Sequence, residues 1–293
     1  MTQADDSTTT VPLEVRAHRV REHIVEMCAG PEGGHLGGSL SCVDILVTLY
    51  FHTMRHEGAD GSGGAAGRDV FVLSKGHAAL ALYATLAERG LIDRDEITTF
   101  CRPGGRLATH GNVAVPGVEF ATGSLGHGLA LATGTAWAQR RSATPAATTY
   151  VLLGDGELQE GTVWEAAQVG RAMNAGNLVA VVDVNGHQQT GAVRDVSDGS
   201  PVADRWRGFG WHTVEVDGHD LPALRAAFDT ARTTPDTPTA VVCRTVKAQG
   251  VKALAGKSVS HFVRLDADKL RRVRAGLRHS APQPAPGNEV RHG

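Results

Sequence analysis

Residues 149–185 hold two apolar runs, TYVLLG and LVAVVDV, on either side of a helix-length segment, and no other pattern in the chain restricts the fold as much. Apolar runs of this length read as buried parallel strands. Parallel neighbours in one sheet need a crossover, normally right-handed and helical. Thr162 and Glu165 have capping-box spacing, so the helix is expected to start at about Val163. Gly176 suits its stop, and residues 177–184 form the next strand. If the two strands are neighbours, Asp155 and Asn185 both leave the carboxyl edge of the sheet. At a strand spacing of ~5 Å their oxygens can reach one small cation.

Open α/β sheets hold ligands at that edge. A carboxylate, an amide oxygen and a backbone carbonyl are hard ligands that suit Mg2+ or Ca2+ better than zinc. So few protein charges leave coordination positions for phosphate oxygens and water. Gly154 and Gly156, which flank Asp155, would let a diphosphate approach the backbone closely. Either fragment alone reads as a tight turn. Together, in a strand–helix–strand context, they favour metal-bridged diphosphate binding.

The remaining periodicity predicts helices over residues 13–30, 42–52, 79–89, 125–139 and 221–230. It predicts further strands over residues 69–73, 212–216 and 239–245. This alternation specifies an α/β fold in three layers, a mainly parallel sheet flanked by helices. One domain is expected over residues 13–279, with disordered ends at 1–12 and in the Pro-rich 280–293, and a Gly-rich loop over 55–68. A net charge of −2 gives no electrostatic case for nucleic acid or an anionic membrane. No apolar run approaches the ~20 residues that span a bilayer, and the polar N-terminus is unlike a signal peptide. A cytoplasmic location is the expectation. Cys28, Cys42, Cys101 and Cys243 are scattered without C-x-x-C spacing, which reads as reduced thiols.

GDGELQEGTVWEAA followed by DVNGHQQTG resembles the thiamine diphosphate motif of the transketolase family, GDG with an Asn about thirty residues on. GHLGGSLSCVDILVTLYF, DVFVLSKGHAALALYATLAERG and THGNVAVPGVEFATGSLGHGLALATG are similar to the family's first three blocks, in order. FGWHTVEVDGHD and PTAVVCRTVKAQGV follow, so the likeness covers roughly residues 13–262. It implies that Asp155, Asn185 and the backbone carbonyl of His187 hold Mg2+, with Ca2+ or Mn2+ as substitutes. Gly154, Gly156 and Glu157 would adjoin the diphosphate, and Gly123, Ser124 and Leu125 the aminopyrimidine ring. Glu160 matches a glutamate at the family's subunit interface.

His35, His77, His110 and His261 match the histidines of the family's substrate channel, where imidazoles pass protons to and from hydroxyls and carbonyls. Lys75 could reach a phosphate. Leu36 stands where the family usually has Pro, a form shared with the related deoxyxylulose-phosphate synthases, while ELQEG and NGHQQTG favour the transketolase branch.

The resemblance also implies a missing part. The glutamate that activates the cofactor belongs to a second, pyrimidine-binding domain, and this chain ends shortly after the first. The expectation is therefore the N-terminal subunit of a split transketolase. It would transfer a two-carbon ketol unit to an aldehyde together with a separate C-terminal subunit, as a heterotetramer with two copies of each. A deoxyxylulose-phosphate-synthase-like or 2-oxo acid decarboxylating subunit is the alternative within the cofactor class, and a non-catalytic cofactor-binding protein the alternative outside it. A nucleotide-binding oxidoreductase lacks its G-x-G-x-x-G after the first strand.

Overall fold

Five strands form one wholly parallel sheet: β1 (Val70–Leu73), β2 (Thr149–Gly154), β3 (Leu178–Val184), β4 (His212–Asp217) and β5 (Thr239–Arg244). Their spatial order is β1-β2-β3-β5-β4. The computed structural model describes residues 11–56, 67–142, 147–197, 201–234, 236–279 and 281. Residues 1–10, most of the Gly-rich loop (57–66) and nearly all of the Pro-rich tail lie outside the described residues.

Period-two alternation splits each central strand between two cores. Tyr150 and Leu152 of β2, Val179 and Val181 of β3, and Val241 and Cys243 of β5 face the larger one. It is completed by α1 (Leu13–Cys28), α2 (Leu36–Ser41), α3 (Val43–Thr48), α4 (Ala79–Arg89), α9 (Leu221–Thr233) and α10 (Ala267–His279). Val151, Leu153, Ala180, Val182, Ala240 and Val242 face the other core, under α5 (His127–Arg140), α6 (Gly161–Ala172) and α8 (Val202–Gly208). A short α7 (Val193–Val196) follows β3. The expected three layers are present.

Two local expectations are corrected. α6 starts at Gly161 with Glu160 as its N-cap and no side-chain cap bond, so Thr162 and Glu165 form no capping box. The chain leaves β2 through a 3-10 turn, Gly156–Gln159, which uses up the residues before Glu160 and leaves Thr162 inside the first helical turn. The stop is not Gly176. Asn174 takes the left-handed backbone (φ 50), and the Ala175 N–H closes the helix end on the Gly170 carbonyl at 3.1 Å. The helix expected over 42–52 ends in a π turn, Leu49–Thr53, and α2, α7, α8 and α10 are additions to the expected elements. All four cysteines are free, with Cys28, Cys42 and Cys243 buried.

Candidate active site

β2 and β3 are neighbours with Gly154 opposite Asp183, so Asp155 and Asn185 do emerge together at the carboxyl edge. The Asp155 carboxylate joins the two turns there. One oxygen accepts from the Gly156 N–H at 2.9 Å, the other from the Gly186 N–H at 2.7 Å. The Asn185 amide donates to Asp183 at 3.1 Å, and its oxygen accepts from the His187 N–H at 3.1 Å. The His187 carbonyl accepts from Lys247 Nζ at 3.2 Å. Burial and the nearby charge of Asp183 push the Asp155 carboxyl up to about 6. A buried carboxylate short of positive charge, beside an amide oxygen and a carbonyl, fits a hard divalent cation.

Beneath this edge lies a buried ion pair. Lys75 Nζ stands 2.5 Å from Asp183 and 2.8 Å from the Gly38 carbonyl, and both charged side chains are almost fully buried. Ser41 Oγ donates to Asp183 at 2.6 Å, and Thr245 Oγ1 also donates to it. Burial would raise the Asp183 carboxyl, but the Lys75 ammonium outweighs it and the carboxyl lies below its ordinary value. Lys75 is thus tied into the floor rather than extended toward solvent. Asp183 in turn orients the Asn185 amide.

The glycine turn Gly123–Leu125 leads into α5 and meets the G-D-G turn through Glu157. The buried Glu157 carboxylate accepts from Ser74 Oγ at 2.5 Å, the Gly126 N–H at 2.9 Å and the Gly154 N–H at 3.1 Å. It holds the two turns in register. Gly126 has φ +89, and a Cβ there would stand 2.5 Å from Thr162 Oγ1 and 2.7 Å from Glu160 Cβ, so this contact needs glycine. Gly123 and Leu125 line the resulting cleft, with Ser124 exposed between them and Glu160 at its rim.

The four histidines come from four separate loops and converge. The His35 ring centroid is 5.4 Å from His77, 5.9 Å from His110 and 5.4 Å from His261, and His77 and His261 are 5.5 Å apart. Burial, then the charges of neighbouring His110 and Lys247, lower His35 to about 4. Burial with Lys247 lowers His261 to about 4, and burial with Lys75 holds His77 well below the ordinary histidine range. These three imidazoles are neutral at pH 7. Among the described residues no group of three His, Cys, Asp or Glu is placed to hold a metal ion.

One cleft of about 400 Å³ carries the histidines, Asp155, Asn185 and the glycine turns together. Lys247 is assigned no role from sequence, although it lies in PTAVVCRTVKAQGV; its Nζ stands 3.1 Å from His261 Nδ1. Burial and the charge of Lys75 lower its ammonium to about 8. Asp183, the first residue of DVNGHQQTG, is likewise assigned none from sequence, although an acid inside the apolar run VVDV was a visible signal.

This edge and this histidine cleft gather the residues that carry the resemblance to ketol transferases. The family model for "Transketolase, thiamine diphosphate binding domain" matches residues 14–286, and the chain belongs to the transketolase family. It is 37% identical to one of the subunits of an apulose-4-phosphate transketolase from Phocaeicola vulgatus, over 85% of this chain and 88% of that one. It is 35% identical to a 6-deoxy-6-sulfo-D-fructose transketolase subunit of a Clostridium species, over 88% of this chain and 94% of that one. Among solved structures, a transketolase from Pichia stipitis in complex with xylulose 5-phosphate superimposes with a TM-score of 0.82 at 30% identity. The match covers 91% of this chain and 40% of that one, so the chain spans less than half of that transketolase.

Proposed function

We propose that this chain is the N-terminal, diphosphate-binding subunit of a two-component transketolase, working as a cytoplasmic heterotetramer with two copies of each subunit. Residues 13–279 are its folded domain. The partner subunit supplies the pyrimidine-binding half. Support for two components comes from relatives that are themselves named as subunits and that this chain covers almost end to end.

Asp155, Asn185 and the His187 carbonyl hold Mg2+, with Ca2+ or Mn2+ as substitutes, and Gly154 and Gly156 give the diphosphate room at the backbone. Thiamine diphosphate, when bound, supplies the nucleophilic carbon that takes up the two-carbon unit of a ketose donor. The chain's own residues do the rest. Glu157 fixes the spacing between the diphosphate turn and the Gly123–Leu125 turn, which faces the aminopyrimidine ring. Glu160 stands at the rim, where the subunits meet.

Neutral His35 and His261 accept a hydroxyl proton as the donor C–C bond breaks and return it to the aldehyde oxygen as the new bond forms. His77 and His110 hold the two-carbon fragment. Lys247, lowered to about 8, keeps a positive charge beside these rings and stabilises developing oxyanions.

The observation that carries this proposal is the convergence of the metal-type edge and four histidines in one cleft. Its test is co-expression with a candidate partner chain and a Mg2+- and thiamine-diphosphate-dependent assay over several ketose donors. Ketol transfer only in the presence of both chains is the expected result. Full activity of this chain alone, or turnover of 2-oxo acids and no ketose, overturns it.

A further inference from the structure

His261, in the segment after Lys257, lines the histidine cleft, and two apolar side chains beside it are exposed. Ser258 Oγ stands 3.0 Å from His187 Nδ1, and His261 faces Lys247 at 3.1 Å, so these two polar side chains turn toward residues of the site. Val263 packs against the larger core and Leu265 lies in it, whereas two other apolar members stay outside. Val259 is 73% exposed and Phe262 49%. Phe262 also sets its ring edge-on against His35, with centroids 5.1 Å apart and planes at 87°.

This contact is held by backbone. Gly34 and Val263, the neighbours of His35 and Phe262, form an antiparallel bridge with N–H···O distances of 3.0 and 2.9 Å. The aromatic ring is thus locked beside the central histidine while half of its surface stays open. An exposed, fixed apolar ring next to proton-transferring imidazoles is costly for folding alone and useful where a ligand covers it.

We infer that Phe262 is a specificity-determining residue, forming beside His35 an apolar rim that receives the part of the aldehyde substrate beyond its carbonyl. The inference rests on the proposed ketol transfer. The rim selects a substrate whose distal group is apolar or deoxygenated over one bearing a hydroxyl there. A hydroxyl set against the ring loses part of its water and gains no partner there, whereas a methyl group gains contact.

Glycolaldehyde and propanal test this, since they differ by a hydroxyl for a methyl. The reconstituted two-subunit complex is assayed with one ketose donor at saturation, and kcat/KM is measured for each acceptor. Phe262→Ser is expected to lower the propanal-to-glycolaldehyde ratio about tenfold, the low end for a hydrophobic contact open on one side. Phe262→Leu keeps an apolar rim and is expected to keep most of the ratio. Affinity for the partner chain is measured in parallel. An unchanged ratio overturns the inference alone, as does an equal fall for both acceptors explained by weakened binding between the chains. Absence of ketol transfer by the wild-type complex from any donor overturns the functional proposal and this inference with it.

Discussion

His23 and His35 show how single side chains tie stability to pH. Each has a buried Nδ1 with no hydrogen-bond partner, and burial lowers each to about 4. An unfolded chain returns them to about 6.5. Between those values the unfolded state binds protons that the folded state refuses. Stability from these residues is therefore complete above about pH 6.5 and falls with pH toward about 4, at roughly 1.4 kcal/mol per pH unit for each histidine. Urea midpoints are expected to drop as pH falls below 6.5, a drop that Asp155, raised to about 6 in the folded chain, partly offsets. His23→Gln removes one titrating ring and should shallow that drop by about one proton; an identical slope in the variant would sink the assignment. Glu157 is the second residue-scale case. Its carboxylate answers three donors, and Gln would set an NH2 group against one of them. Glu157→Gln is expected to cost about 1–3 kcal/mol in urea unfolding, the range for a buried donor left unsatisfied, and to weaken thiamine diphosphate binding measured by calorimetry.

At the scale of elements, α5 shows how one helix can carry glycines of opposite meaning. A Cβ at Gly128 would stand 2.4 Å from Ser74 Cβ, so this turn of α5 lies directly on the end of β1. A Cβ at Gly134 would meet nothing within 4 Å. Gly134→Ala is therefore expected to raise the chain's stability by about 1 kcal/mol through helix propensity alone. Gly128→Ala should lower it by about 1–3 kcal/mol, the cost of an overpacked contact. Thermal unfolding of the two variants separates them by sign. That helix was legible as a small-residue run, but which of its glycines touched the sheet was not. The central strands were equally legible, because residues such as Val151 and Val181 are apolar on both faces of a sheet covered on both sides. α10 is hard to see in the sequence because only Val273 and Leu277 of ADKLRRVRAGLRH are buried hydrophobics. α2 is harder still, because LGGSLS has poor helix propensity and is held entirely by its surroundings. In the site, Asp155 and Asn185 could be paired from strand order alone. The Lys75–Asp183 pair could not, since its members are 108 residues apart and meet only in three dimensions.

For the whole molecule the outer face of α5 and α6 is the surface on which the proposed assembly can be tested. Leu131 and Trp137 of α5 are 37% and 42% exposed, and Val169 and Met173, at the end of α6, are 44% and 41% exposed. The two helices pack on each other, so these four side chains lie on adjoining elements, with Trp137, Val169 and Met173 toward the helix ends away from the cleft. Clustered exposed apolar groups of this kind mark association surfaces. If the partner closes the cleft from this side, a charge placed here must be desolvated without a counter-ion on assembly. Val169→Asp, at an exposed helix position, is expected to leave circular dichroism and urea unfolding of this chain unchanged while weakening association with the partner by at least tenfold. Sedimentation velocity of the mixed chains reads the loss directly. Activity should then fall at low protein concentration and recover as concentration rises, which is the mass-action signature of a damaged interface and not of a damaged active site. Unaltered association of the variant would place the partner on another face of the molecule. An activity defect that higher concentration does not relieve would show that α6 acts on the cleft itself.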